Sequence, residues 1–306
     1  MTWVSWRLQR TETIVALGIL VLLTAWLVPI GLNMWDAYQH HGLADCLSAN
    51  AGPACETAIG LFRARFGGIS NLASWFNLVP GLIGVLLAAP FVFDLEQGTY
   101  RLAWTQSITR RRWMLGKLGL PILAALLAAG GLIALFTWWR TPTAHLDGRL
   151  ESDIFDMTGT VIVGYTLFAL GLALAVGSMW RRAAPSLLVS FAGYVATRIF
   201  VDSKVRMHLV SPLRSTWHGP RQPPALYNAT VLHIIGVVHG HPVLNGGNFS
   251  GGNVKLAAPN LNHAVFHAVY QPVSHFWPLQ LTETALYAGV AILLLALAAW
   301  RVLRTD

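Results

Sequence analysis

Phe93-Asp94-Leu95-Glu96-Gln97-Gly98-Thr99-Tyr100-Arg101-Leu102-Ala103-Trp104-Thr105-Gln106-Ser107-Ile108-Thr109-Arg110-Arg111-Arg112-Trp113-Met114-Leu115-Gly116-Lys117 is a dense polar and basic island between two long apolar runs. A connection between membrane spans does not ordinarily need so structured a sequence. Short, arginine-rich and compatible with a helix, it suits a surface shown to a soluble motor. Gly98 permits a tight turn. Glu96 is placed to cap or pin the loop, and Thr99 to cap a following helix. Leu102, Ala103 and Trp104 would form an apolar knob. Arg101 adds charge beside it. Arg110, Arg111 and Arg112 would pair with a partner's carboxylates or with anionic headgroups, or serve topology alone.

Working outward, the chain of 306 residues is 55% hydrophobic and only 11% charged, with a mean hydropathy of +0.53. A soluble domain would carry about 25% charged residues. Several near-uncharged runs of about 20 residues define the fold class as an all-α polytopic membrane protein. The formal charge of +8 would hint at nucleic acid in a soluble chain, but here the cations sort by side of the membrane, and no nucleic-acid partner is expected. Arginine outnumbers lysine 18 to 3, and abundant Ala, Leu, Gly and Trp suggest a bacterial high-GC genome. The sequons at Asn228 and Asn248 then read as chance matches.

Six transmembrane helices are expected at about 13–35, 71–93, 115–138, 158–180, 184–203 and 281–302. The run from Ile14 to Leu32 follows Arg7 and Arg10, as a signal peptide would, but is too long and lacks a small-x-small cleavage pattern. It reads as a retained first span. Residues 1–12 mix Trp3, Trp6 and cations and suit an N-terminal interfacial helix. The short segments on the side of the chain ends carry most of the basic residues, including Arg101, Arg110, Arg111, Arg112, Arg181, Arg182, Arg301 and Arg304. The positive-inside rule puts both termini in the cytoplasm, with loop 94–114 beside them. Extracellular segments would be 36–70, 139–157 and 204–280, the last a large extracellular segment before the last helix. Trp35, Trp75, Trp138, Trp139 and Trp277 fall at outer span ends, and Trp113, Trp180 and Trp300 at inner ones, where indole rings favour the headgroup level.

The order Glu96, Gly98, Thr99, Leu102, Thr105, Ser107, the arginine run and Lys117 resembles the loop between the second and third spans of ABC-2 type exporter permeases, in an actinobacterial-type chain. The resemblance extends to the layout of six spans, an N-terminal amphipathic segment and a large loop before the last span. It implies that residues 94–114 are a coupling element that docks on an ABC ATPase. It also implies two ATPase subunits, and a second permease copy or close relative. ATP and Mg would belong to that partner, and no cofactor to this chain. The cargo would be a hydrophobic or amphipathic drug, natural product, peptide or lipid, leaving the cytoplasm of a bacterial cell.

Absences agree with this. The stretches 14–32, 72–93, 118–137, 161–178, 186–197 and 284–300 contain no Asp, Glu, Lys, Arg or His. An ion-driven transporter keeps an ionisable group within the membrane, and an intramembrane metalloprotease needs His and carboxylate ligands. Nor does the chain contain G-x-x-x-x-G-K-[ST], so ATP hydrolysis would belong to another subunit. Among the few mid-span polar residues, Asn77, Tyr165, Ser190 and Tyr194 either line a weakly polar substrate path or serve as hydrogen bonds between helices.

Cys46 and Cys55, the only cysteines, share the first external segment, where a disulfide is expected. All 11 histidines fall in segments expected outside. His263 and His267, joined by His239 and His241, would be metal ligands, a pH sensor or ordinary surface residues. No metal site is expected. Short helices are expected at 228–239 and 262–270, as re-entrant or interfacial pieces. Asp147, Glu151, Asp153 and Asp156 form an acidic cluster without a nucleophile partner, which leaves a membrane enzyme unsupported. The rival reading is a membrane-anchored sensor or binding protein with a His-rich external segment.

Overall fold

The computed structural model describes residues 2–40, 42–47, 53–99, 109–219, 223–226, 228–239, 241–246, 249–250 and 263–304. Six of its helical segments are long and apolar enough to cross a membrane. Helix α1 (Thr2–His40) runs unbroken through 39 residues. The expected separate interfacial helix at 1–12 is therefore continuous with the first span, because no glycine, proline or cap separates them. At 1.5 Å per residue, α1 is about 58 Å long, nearly twice the thickness of a bilayer core.

After a short turn, α2 (Pro53–Ala73) forms on the side opposite the chain ends. It is bonded to the turn through Cys46–Cys55, whose Cα atoms lie 5.3 Å apart. Helix α3 (Val79–Gln97) begins with Pro80 in its first turn, where a missing N–H costs nothing. It stops at Gly98, whose φ of 69° closes the helix in the left-handed region. Helix α4 (Arg110–Asp147) is capped by the Thr109 hydroxyl, which accepts from Arg112 N–H. It spans 38 residues, well beyond the 115–138 needed to cross. The short α5 (Ser152–Phe155) leads into α6 (Val161–Trp180), and α7 (Ala183–Phe200) follows after two residues. A π-helical turn, Val201–Val205, joins α7 to α8 (Arg206–Leu209). The last span is α9 (Phe276–Arg304).

Helices α6 and α3 form the centre of the bundle. In their most apolar windows 78% and 67% of residues are buried, against 17–28% for α1, α4, α7 and α9. The exposed leucines, valines and tryptophans of these outer helices are what a helix facing lipid tails presents. Gly84 allows the close approach of α3 to α6, since a Cβ there would meet Thr166 O at 2.5 Å. Tryptophans divide in a way the sequence alone did not foretell. Trp75, Trp180, Trp277 and Trp300 are exposed as interface residues should be, whereas Trp113 and Trp139 are buried.

The segment before α9 corrects the expected short helices. Residues 230–238 and 265–271 are strands of an antiparallel sheet, in the order β1-β5-β2-β3, with β4 also paired to β2. The strands are β1 (Leu213–His218), β2 (Thr230–Val238), β3 (His241–Gly246), β4 (Phe249–Ser250) and β5 (Val265–Gln271). Val231, Ile234, Phe266, Ala268, Tyr270 and Trp217 pack on one face as a small separate core. The β-branched content and period-two burial of β5 explain the outcome: alternation every second residue outweighs the i,i+4 spacing of His263 and His267.

Candidate functional site

The bundle end that carries the chain termini gathers the described part of the 94–114 loop. In the last turn of α3, Asp94 forms an ion pair with Lys117 of α4, both largely buried. The Thr99 hydroxyl donates to Asp94 Oδ1 at 3.1 Å. Glu96 Oε2 accepts the backbone N–H of Ala183 at 3.1 Å. Ala183 is the first residue of α7, so Glu96 caps that helix from another element, with its charge at the positive end of the helix dipole. Arg110 Nη1 donates to Leu303 O at 3.3 Å, at the negative end of α9. Trp113 packs against Phe91 with ring centroids 6.2 Å apart. Arg112 is exposed. Arg101, Leu102 and Trp104 lie outside the described residues, as does the side chain of Arg111.

Three polar contacts thus fasten one end of α3 and its loop to α4, α7 and α9. Gly98 and Thr99 sit where the chain leaves α3. The pinning role expected of Glu96 has a specific object, the N-terminus of α7, which nothing in the loop's own sequence identifies.

The opposite end of α7 carries a feature that sequence reasoning missed. Arg198, in its last turn, pairs with Asp156 (Nη2 to Oδ2, 2.6 Å) and stacks 3.5 Å above the Tyr165 ring. Arg206 of α8 donates through Nε to Glu283 Oε2 at 2.8 Å and is also paired with Asp156 and Asp202. The Tyr165 hydroxyl donates to Glu283 Oε1 at 2.6 Å. Ser152 adds a bond of 3.2 Å to Asp202. Glu283 is 0% exposed and Arg206 1%. Burial alone would raise the carboxyl pKa of Asp156, but Arg198 and Arg206 outweigh it and hold it below the usual carboxylate range. The π turn before α8 places Asp202 and Arg206 on the same side as Arg198. The signal was present in the sequence as one arginine and one glutamate, each near the end of a span and just outside the charge-free stretches. An ionisable group within a span implies a partner.

Three of the four candidate path residues lie apart from open solvent, and Asn77 is half-buried. Tyr165 belongs to the ion network. Ser190 Oγ donates to Ser186 O at 2.7 Å, and Tyr194 donates to the backbone O of Asn77 at 3.2 Å. Tyr165, Ser190 and Tyr194 are each 0% exposed. Tilted and edge-on contacts through Phe168 and Tyr287 connect Tyr165 with Tyr194. These groups bond helix to helix or back to their own helix. A groove of about 420 Å³ opens instead on the lipid side, lined by Ile19, Leu22, Leu23, Trp26, Trp75 and Phe76. Among the described residues, no three His, Cys, Asp or Glu side chains form a group able to hold a metal ion.

No curated protein and no solved structure matches the chain. Residues 17–206, from α1 to the start of α8, match the family described as ABC-2 membrane transporter related.

Proposed function

The chain belongs to the ABC-2 membrane transporter related family, and on that premise we propose that it is the membrane-spanning permease of an ATP-driven exporter. As a member it is a multi-pass transport subunit without an ATPase site of its own, in a family that works with ABC ATPases. Two such ATPases would engage two permease copies, or this chain and a close relative. Both termini and loop 94–114 would face the cytoplasm, and α2 and the sheet the outside.

The observation that carries this reading is the fastening of α3 and its loop to three other helices. A push on a loop held only by its own backbone would be absorbed as local bending. Here Asp94–Lys117, Glu96–Ala183 and Arg110–Leu303 would pass displacement to α4, α7 and α9 together. Helix α7 is also held at its far end by Arg198, so movement of its first turn reaches the outer network along a stiff rod. The apolar groove beside Trp26 and Trp75 supports a hydrophobic or amphipathic cargo entering from lipid.

The test is purification of this chain from native membranes in mild detergent with identification of what accompanies it. A P-loop ATPase at near-equal stoichiometry, lost on changing Leu102 and Trp104 to Asp, is the expected result. Absence of any ATPase from the native preparation would sink the proposal.

A further inference from the structure

The eighty positions between Asp202 and Glu283 contain no aspartate or glutamate, yet carry five Lys or Arg and eight His. Such asymmetry is uncommon in a water-exposed segment, where both signs are usually interspersed. The sheet arranges part of it on one face. Strand pairing sets three rows across β1, β5 and β2: Arg214–Val269–His233, Thr216–His267–Ile235 and His218–Val265–Val237. Arg214, Thr216, His218, His233 and His267 are all exposed, while the other face of the sheet is closed by its own core. His267 Nδ1 is engaged by the Thr216 hydroxyl at 3.0 Å, which holds the exposed ring in place.

Neighbouring Arg and His positions lie on diagonals of the sheet, about 7–8 Å apart. That spacing is too wide for three imidazoles to share one metal ion, and it suits successive charges of an extended chain. A bilayer is a poorer match. The aliphatic side chains of these rows, Val265, Val269, Ile235 and Val237, are only partly exposed, so among the described residues the face carries no fully exposed aromatic or aliphatic anchor of an interfacial surface. We propose that this face docks an extended, phosphate-bearing polyanion outside the membrane. The inference rests on the outward placement of the sheet proposed above. The Arg214 guanidinium and the imidazole N–H groups donate hydrogen bonds to the anionic oxygens, and no carboxylate of the segment opposes them.

The full-length protein in nanodiscs of neutral lipid, at pH about 6, is titrated with fluorophore-labelled inorganic polyphosphate. Anisotropy reports binding, and diethylpyrocarbonate footprinting reports which histidines are covered. Polyphosphate should bind, with affinity falling about tenfold or more between about 50 and 200 mM salt. It should protect His218, His233 and His267 but not His40. The combined variant R214Q/H218Q/H233Q/H267Q, with elution and helical dichroism unchanged, should lose at least about tenfold in affinity. No binding at low salt, or binding that the variant retains, overturns the proposal. So does protection of these histidines by discs of anionic lipid without polymer, which assigns the face to the bilayer. Protection that grows with protein concentration alone assigns it to a second copy and overturns it equally. Labelling of Ser211→Cys, at an exposed position just before β1, in intact cells tests the topology separately: outward labelling without polymer binding removes the docking site alone, and its absence removes the outward placement.

Discussion

Glu283 and Arg206 show how much depends on single side chains here. Each is almost wholly buried, and each is the other's compensation. Removing one leaves an unpaired charge at low dielectric, so Glu283→Ala should destabilise the protein by about 3–5 kcal/mol. Adding Arg206→Ala should cost less than the sum of the two single changes. Thermal unfolding in detergent measures both, and strict additivity would show that the pair is not coupled. Glu151 behaves differently. Burial, with Asp147 and Asp153 nearby, pushes its carboxyl up to about 7. Because the folded pKa lies above the unfolded one, the corresponding stability is present below the ordinary carboxylate range and lost as pH rises through about 7. Glu151→Gln should therefore stabilise the protein at pH about 8, by roughly 1 kcal/mol after allowance for solvent screening, and make little difference near pH 4. Equal effects at both values would contradict this assignment.

Helix α7 is the element whose role depends most on its ends. Its flanks expose Leu188, Val189, Ile199 and Phe200 to lipid, while polar contacts hold its first residue and its last turn. Glu96→Gln keeps an acceptor but removes the charge at the helix N-terminus, and should cost about 0.3–1 kcal/mol. Glu96→Ala leaves the Ala183 N–H unbonded and should cost about 1–3 kcal/mol. In the assembled transporter, the Ala variant should keep ATP hydrolysis and lose transport, a separation read by parallel assays on proteoliposomes. Loss of both activities together would place Glu96 in ATPase docking instead. Packing between α3 and α6 has a similar internal control. Gly84→Ala forces a Cβ against Thr166 O and should destabilise by about 1–3 kcal/mol. Gly119→Ala, with nothing within 4 Å, should be neutral or slightly stabilising. Matching unfolding temperatures for the two variants would contradict the observed packing.

Across the whole molecule, the loop closed by Cys46 and Cys55 is short, with a sequence separation of 9. Replacing both cysteines by serine should cost about 2–3 kcal/mol, seen as a lower unfolding temperature in detergent; an unchanged one would mean the bond adds nothing to the folded state. Hydrophobic run length by itself determined the membrane class and the six spans, because a bilayer demands about 20 apolar residues per crossing whatever the tertiary arrangement. Local chemistry made the 93–117 island legible for the same reason: helix ends, glycine turns and charge are properties of near neighbours. Which helix Glu96 caps was not legible, since Glu96 and Ala183 are 87 positions apart and only folding sets their separation. The network of Asp156, Arg198, Arg206 and Glu283 was hidden in the same way, as charges scattered over four segments that cancel only when buried together. The sheet between α8 and α9 was the remaining ambiguity. Short apolar pieces satisfy helical and strand periods alike, and pairing with a distant strand, which no local pattern encodes, selected the strand.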